Sequence, residues 1–230
     1  MKLKKTLLLV VSLVLVLSLA PIAQAQTSFR DVPPSHTFYE EIQFLVELGI
    51  ISGFEDGTFR PGQAVTRAQA AIMIGRTFDL NGEQRKTIFR DVSKSSVASG
   101  YIQEAADYGI IQGYPDGTFR PNEPVSRGQM AILIARAFGL TESAEVSFPD
   151  VSPNSAAYPY IGLIYYAGIT EGYPDGTYKP NQSVKRGEFA AFITRAIFFI
   201  ISEYYDEENL TNEEYKEYFS EGLDLEELNQ

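Results

Sequence analysis

Apolar side chains recur at helical spacing along two kinds of segment. In the first kind, Ile42, Leu45 and Val46 share one face and the segment stops at Gly49. This pattern predicts an amphipathic helix that ends at a glycine in the left-handed region. In the second kind, residues 70–74 and 130–135, nearly every position is apolar, which is typical of a helix buried on most of its faces.

Both kinds of segment occur three times in the same order. Each copy opens on the sequence Phe-x-Asp-Val, which begins at Phe29, Phe89 and Phe148, so the copies start 60 and 59 residues apart. Between the two helices of each copy lies a glycine loop whose Asp-Gly step is typical of a tight turn. The three glycine loops are 53–61, 113–121 and 172–180.

A fixed period of this length indicates a repeat architecture. We predict repeat 1 at 26–80, repeat 2 at 81–140 and repeat 3 at 141–201. The fold class is predicted to be mainly α. We expect the second helices of the repeats to form a central three-helix bundle, with the first helices and the glycine loops around it in pseudo-threefold order. A few residues of β-bridge are expected near each Phe-x-Asp-Val.

The start of each second helix carries its own signal. Thr66 and Gln69 are spaced as the N-cap and N3 residues of a capping box, and Ser126 and Gln129 repeat the device. In repeat 3 the N-cap position is occupied by Lys185, a change that typically costs about 1 kcal/mol of helix stability. Repeat 3 is therefore the divergent copy.

The two ends of the chain differ from the repeats. Residues 1–25 combine three lysines, an apolar run and Ala23-Gln-Ala25, which predict a cleaved signal peptide and no transmembrane segment after cleavage. Residues 202–230, the acidic tail, hold 11 acidic side chains against Lys216 alone. Thr211 is spaced as an N-cap, so the tail is predicted to contain a short helix, either docked on the bundle or solvated.

Composition argues against several classes of function. The formal net charge of −11 makes nucleic acid an unsuitable partner, because phosphate backbones are bound by clusters of Lys and Arg. The chain has no Cys and a single His, His36, so we expect no enzyme, no cofactor and no metal site. The loop aspartates Asp56, Asp116 and Asp175 are predicted to form turns, because a calcium loop needs several oxygen-bearing side chains.

Packing alone does not explain one repeated residue. Arg67, Arg127 and Arg186 each lie in the first turn of a second helix, where the helix dipole disfavours a positive charge by about 0.3–1 kcal/mol. With the free N–H groups of the helix start, each guanidinium forms a candidate site for a carboxylate or phosphate. The alternative is an intramolecular salt bridge to a Phe-x-Asp-Val aspartate, and the residues favour neither.

Two further sets of side chains accompany these arginines. The last-turn arginines Arg76, Arg136 and Arg195 lie nine residues further along, on another face of the helix, and are interpreted as structural. Each glycine loop carries two aromatic residues. They suit a sugar face, although packing beneath the loop is the more frequent explanation.

The composite motif closely resembles the S-layer homology (SLH) domain. Close versions of Phe-x-Asp-Val, Gly-Ile-x-x-Gly-Tyr-x-Asp-Gly-Thr-Phe-x-Pro and Val-Thr-Arg-Ala-Gln follow one another in three copies, from 29 to about 200. The resemblance implies a pseudo-threefold, three-repeat SLH spindle and a secreted protein of the cell wall or S-layer. Such a protein would bind secondary cell wall polysaccharide, or another peptidoglycan-linked glycan, commonly carrying pyruvate.

By the same resemblance, the first-turn arginines bind the sugar's carboxylate in grooves lined by the glycine loops of neighbouring repeats. The glycan-binding residues so implied are Arg67, Arg127, Arg186, Gly53, Gly113, Gly172, Asp31, Asp91 and Asp150. The chain departs from the family where Thr37, Val97 and Ala156 replace a tryptophan. An alternative function is a surface scaffold whose acidic tail recruits a protein partner.

Overall fold

The computed structural model describes residues 29–207. The predicted signal peptide and the predicted tail helix at Thr211 lie outside the described residues. Within this range the chain forms six α-helices, so the predicted mainly α class is confirmed. The helices are α1 Tyr39–Glu47, α2 Arg67–Thr77, α3 Ser99–Asp107, α4 Arg127–Phe138, α5 Tyr158–Tyr166 and α6 Arg186–Glu207.

The described residues divide into a unit that ends at Phe199 and holds the three repeats, and a short second unit that begins at Ile200. The boundary predicted between repeat 3 and the tail, at 201, lies inside α6, which continues through Glu207. The first residues assigned to the acidic tail are therefore helical.

The ends of the helices follow the local sequence signals. The glycines after α1, α3 and α5 adopt positive φ, at 69° for Gly49, 73° for Gly109 and 64° for Gly168. Both complete capping boxes are present, at Thr66 and at Ser126. In repeat 3 the Lys185 N–H still donates to the Glu188 carboxylate over 2.8 Å. That helix start therefore keeps half of the box and lacks only the N-cap hydroxyl.

A closed ring of backbone hydrogen bonds joins the three repeats just before α2, α4 and α6. The Val65 N–H donates to the Val184 carbonyl, that of Val125 to Val65, and that of Val184 to Val125, each over 2.9 Å. Isolated antiparallel bridges flank the ring and connect each repeat with the others. The third repeat thus closes on the first, as expected for pseudo-threefold order.

The predicted position of the β-bridges, near each Phe-x-Asp-Val, was wrong. These residues form tight turns instead, in which the Val32 N–H donates to the Phe29 carbonyl over 3.0 Å. A turn cannot also supply an extended ladder, so the bridges lie at the helix starts, where Thr66 and Ser126 have extended backbone.

Helix packing follows a stepwise order along the chain. The helix α2 packs against α3 of the next repeat, and α4 packs against α5. The second helices bury residues on most faces, including Ile74, Met130, Ile134 and Ile193, which are fully buried. At their far ends the rings of Phe78 and Phe138 meet edge to face, 5.0 Å apart. The detailed packing of three equivalent helices at the centre stays a prediction.

Candidate functional site

The Phe-x-Asp-Val aspartates hold the glycine loops in place. The Asp31 carboxylate accepts hydrogen bonds from the N–H groups of Phe59 and Arg60, over 2.8 and 2.7 Å. Burial raises the pKa of Asp31, but these N–H groups outweigh it and keep the pKa below its usual value. Asp91 and Asp150 make the same pair of bonds in repeats 2 and 3. These three predicted site residues therefore shape the loop within their own repeat.

The first glycine of each loop allows a close approach to the ring that opens the repeat. A Cβ atom at Gly53 would lie 2.2 Å from the Phe29 ring and 2.8 Å from the Thr58 carbonyl oxygen. Gly113 meets the ring of Phe89 in the same way, and Gly172 that of Phe148. Such distances leave no room for a side chain, so the predicted site glycines are first of all packing residues.

The turn-forming interpretation of the loop aspartates is confirmed. One oxygen of Asp56 accepts from the Thr58 N–H over 3.0 Å, and the other forms an ion pair with Arg60 at 3.1 Å. The hydrogen bond from the Thr58 hydroxyl, followed by that from Arg60, lowers the pKa of Asp56 to about 2. The pKa of Asp175 is lowered to about 2, mainly by the hydrogen bond from the Thr177 hydroxyl.

The basic residue that closes each loop adopts a left-handed conformation, which is uncommon outside glycine. The φ angles are 60° for Arg60, 59° for Arg120 and 58° for Lys179. The Arg120 guanidinium lies over the ring of Tyr114, 3.8 Å from its centroid, and the other two loops repeat the contact. The first aromatic of each loop is thus stacked on a cation from its own repeat.

The first-turn arginines reach into the loop of the next repeat. Arg67 donates its Nε–H to the Phe119 carbonyl over 2.7 Å and an Nη2–H to the Gln112 carbonyl over 3.4 Å. Arg127 donates to the carbonyl of Tyr178 in repeat 3, over 2.9 Å. Arg186 closes the cycle by donating to the Phe59 carbonyl of repeat 1, over 2.8 Å.

Each of these arginines therefore lies in a groove between two repeats. Groove 1 is formed by the start of α2 with loop 113–121 and α4. Groove 2 is formed by the start of α4 with loop 172–180 and α6. Groove 3 is formed by the start of α6 with loop 53–61 and α2. None of the ion pairs within residues 29–207 includes Arg67, Arg127 or Arg186, so the salt-bridge alternative finds no support.

The second aromatic of each loop packs beneath it. Phe59 and Tyr178 are fully buried and Phe119 is 2% exposed, which confirms the packing explanation for this position. The Arg67 guanidinium lies 4.5 Å from the centroid of Phe119 and 5.1 Å from that of Tyr114. The aromatic pair of each loop thus supports the arginine of the preceding repeat.

Groove 1 contains a cavity of about 370 Å³. Arg67, Gly113 and Tyr114 line one side of it, while Ile132 and Leu133 of α4 form an apolar wall. The amides of Gln112 and Gln129 and the guanidinium of Arg136 add polar groups, and Ala156 of repeat 3 completes the lining. An apolar cleft with a few convergent polar groups is typical of a small-ligand site.

The position of Arg136 was not foreseen. Arg136 lies on a different face of α4 from Arg127, as its helical phase predicted, but this face borders groove 1. Its Nε–H and Nη2–H groups donate to the Tyr160 hydroxyl of repeat 3, over 3.1 and 2.9 Å. The interpretation of Arg136 as only structural is therefore incomplete, because the same side chain supplies a second cation to the cavity.

The three grooves are not equally open. Arg67 is half-buried, whereas Arg127 and Arg186 are each only 5% exposed. Burial lowers the pKa of Arg67, and burial followed by the charge of Arg60 lowers that of Arg186 to about 10. Both side chains remain positive at neutral pH.

Comparison with known proteins gives three consecutive matches to one family model. The S-layer homology domain matches residues 28–71, 88–131 and 147–190, together more than half of the chain, and each segment falls inside one predicted repeat. The chain belongs to the S-layer homology domain family. The resemblance expected from the motifs is thereby confirmed.

Curated relatives carry the same region within longer chains. An S-layer protein of Bacillus thuringiensis subsp. finitimus is 30% identical over 181 residues, 76% of this chain and 22% of the relative. A cellulosome-anchoring protein of Acetivibrio thermocellus is 29% identical over 178 residues, 73% of this chain and 38% of the relative. An endoglucanase of a Bacillus species is 30% identical over 221 residues, 89% of this chain and 23% of the relative.

The chain therefore spans between about a fifth and two fifths of the length of these three relatives. Membership of the SLH family, with S-layer proteins among the relatives, indicates a secreted protein of the cell wall or S-layer. Among the helices of residues 29–207, none is long and apolar enough to cross a membrane.

Proposed function

We propose that this SLH protein is a noncatalytic wall-anchoring module that binds an anionic cell-wall glycan in the grooves between its repeats. The first-turn arginine binds an acidic group of the glycan, such as the carboxylate of a pyruvate ketal. The wall polymer is a secondary cell wall polysaccharide or another glycan linked to peptidoglycan.

The position of Arg67 carries this proposal. Its described hydrogen bonds use two of the five N–H groups of a guanidinium, and the same side chain lines the cavity of groove 1. The two bonds to the neighbouring loop fix the orientation of the group before a ligand arrives. A pre-oriented guanidinium suits bidentate recognition of a carboxylate, because less side-chain freedom is lost on binding.

The lining of groove 1 also fits a sugar. Backbone carbonyls, glutamine amides and the Tyr114 hydroxyl offer hydrogen-bond partners for sugar hydroxyls, and Ile132 and Leu133 offer an apolar surface for a ring. The anchoring protein and the S-layer proteins among the relatives are in keeping with such a role.

The acidic tail offers a different function, the recruitment of a surface protein partner. Most of residues 202–230 lie outside the described residues, so this alternative stays a prediction. Deletion of 208–230 distinguishes the two proposals, since wall binding through the grooves does not need the tail.

Sedimentation with purified Gram-positive walls tests the proposed function. We expect the wild-type protein to sediment with the walls, and Arg67→Gln to remain in the supernatant. Arg90→Gln is the matched control, because it removes the same charge from a side chain that is 69% exposed and outside the cavity lining. Mild acid treatment, which removes ketal-linked pyruvate, should also release the wild-type protein. Wild-type levels of wall binding by Arg67→Gln would contradict the assignment.

A further inference from the structure

The same arginine has a different environment in each groove. Arg67 borders a cavity of about 370 Å³, and one of its two loop hydrogen bonds is exposed. Both of the corresponding bonds of Arg127, to Tyr178 and Thr170, are buried. A carboxylate can contact a guanidinium only if the side chain presents surface to solvent, and Arg127 and Arg186 present 5% of theirs.

One side chain next to the arginine differs between groove 2 and groove 1. Phe192 stands on α6 where Leu133 stands on α4, by the alignment of repeat 3 with repeat 2. The Phe192 ring is 5% exposed and its centroid lies 5.4 Å from the Arg127 guanidinium. Leu133, by contrast, is half-buried and lines the open cavity. Groove 2 thus has a buried aromatic ring beside its arginine at the position where groove 1 has a leucine that borders a cavity.

Charge acts in the same direction. Groove 2 carries Glu171 and Glu188 at the positions that Gln112 and Gln129 occupy in groove 1. A carboxylate near the ligand repels an acidic glycan, whereas an amide can donate to it. An anionic glycan is therefore disfavoured in groove 2 by charge as well as by space.

In groove 3 the arginine is held close against the loop of repeat 1. Arg186 donates to the carbonyls of Phe59 and Ser52 over 2.8 and 3.0 Å, so both bonds are short, and its guanidinium lies 4.4 Å from the Phe59 centroid. Met73, which stands where Leu133 stands in repeat 2, is only 5% exposed. Little of the groove surface reaches solvent at this arginine.

We propose that groove 1 alone binds the acidic glycan, and that the difference between Leu133 in groove 1 and Phe192 in groove 2 determines which of these two grooves is open. The inference rests on the proposed function. Under this proposal one of the three repeated grooves binds the glycan, and the other two have a structural role.

Isothermal titration of the purified protein with a pyruvylated wall disaccharide tests the inference. The expected stoichiometry is one disaccharide per chain. Leu133→Phe should weaken binding by at least about tenfold, because the ligand must compete with a ring for a packed site. Phe192→Leu combined with Glu171→Gln and Glu188→Gln should raise the stoichiometry to two. Arg90→Gln again serves as the control.

The outcomes separate the two proposals. Absence of wild-type binding to the disaccharide contradicts the proposed function. Two or three equivalents bound by the wild type would show that the function stands and that the single-groove inference is wrong. The single-groove inference is also wrong if Arg67→Gln lowers the stoichiometry but leaves at least one equivalent bound. If the groove 2 variant melts like the wild type and still binds one equivalent, Phe192 is not the determinant.

Discussion

The Nε–H of Arg67 is donated to the carbonyl oxygen of Phe119, 2.7 Å away in the next repeat. The candidate ligand-binding arginine is therefore also a contact that holds two repeats together. Arg127 with Tyr178 and Arg186 with Phe59 form the same relationship. A loss of binding after mutation must accordingly be read together with a measurement of stability.

The three arginines should differ in their contribution to stability. Arg127→Ala removes a buried donor from the Tyr178 carbonyl, and Arg186→Ala removes one from the Phe59 carbonyl. We expect each change to lower the free energy of unfolding by about 2–4 kcal/mol. Arg67 is half-buried, so water replaces its bonds and the expected loss is about 1–2 kcal/mol. Urea unfolding measures the difference. Arg90→Ala should change the free energy by less than about 0.5 kcal/mol, and equal losses at all three positions would contradict the ranking.

The loop aspartates should make stability depend on acid pH. The folded pKa of Asp56 and of Asp175 is about 2, below the ordinary value of 3.8. A lowered folded pKa stabilises the protein above the ordinary value, and this stability is lost as the pH falls from about 4 to about 2. Melting temperatures measured by calorimetry should fall across that window.

The double variant Asp56→Asn with Asp175→Asn identifies the groups responsible. It should melt with a shallower dependence on pH between 4 and 2, because the two titrating carboxylates are gone. Between pH 5 and 7 these carboxylates are ionised in both folded and unfolded protein, so that range serves as the internal control. Superimposable acid profiles of wild type and variant would exclude the two aspartates.

Gly53, in loop 53–61, and Gly62, just after it, provide a matched pair. Gly53→Ala places a Cβ atom against the Phe29 ring and should cost about 1–3 kcal/mol through overpacking. Gly62→Ala meets no atom within 4 Å and its φ lies outside the positive region, so it should be neutral or slightly stabilising. Chemical denaturation of both variants checks the prediction, which fails if the two changes have the same effect.

The incomplete cap of α6 can be repaired. Lys185→Thr adds the missing hydroxyl at a helix start that already keeps the bond from the residue 185 N–H to Glu188. The expected gain is about 1 kcal/mol, the usual value of an N-cap side chain. Thr66→Lys is the reverse change at α2 and should lose a similar amount. A stability unchanged in both variants would show that the hydroxyl contributes nothing here.

Features that depend on a few neighbouring residues could be predicted from the sequence. The capping boxes at Thr66 and Ser126, the C′ glycine at Gly49 and the turn at Asp56 were all correct, because each depends on neighbours along the chain. The period itself predicted three equivalent repeats. Local chemistry and repetition thus fixed the helices and their order.

Contacts between distant residues could not be predicted in the same way. The partners of Asp31 lie 28 and 29 residues further on, and Arg67 bonds a carbonyl 52 residues away. The helical phase correctly predicted that Arg136 and Arg127 lie on different faces of α4. Only the arrangement of the repeats shows which groove Arg136 borders. The bridges were misplaced for the same reason, since backbone pairing between repeats leaves no mark in the side chains.

The hydrogen-bond ring of Val65, Val125 and Val184 has a consequence for the number of repeats that this protein needs. An open stack of repeats can grow or shrink by one unit, because each unit contacts only its neighbours. A circle of three has no terminal unit, so the loss of any one repeat leaves two unpaired partners at once. In this protein each repeat is therefore needed to close the circle, whatever side chains its groove carries.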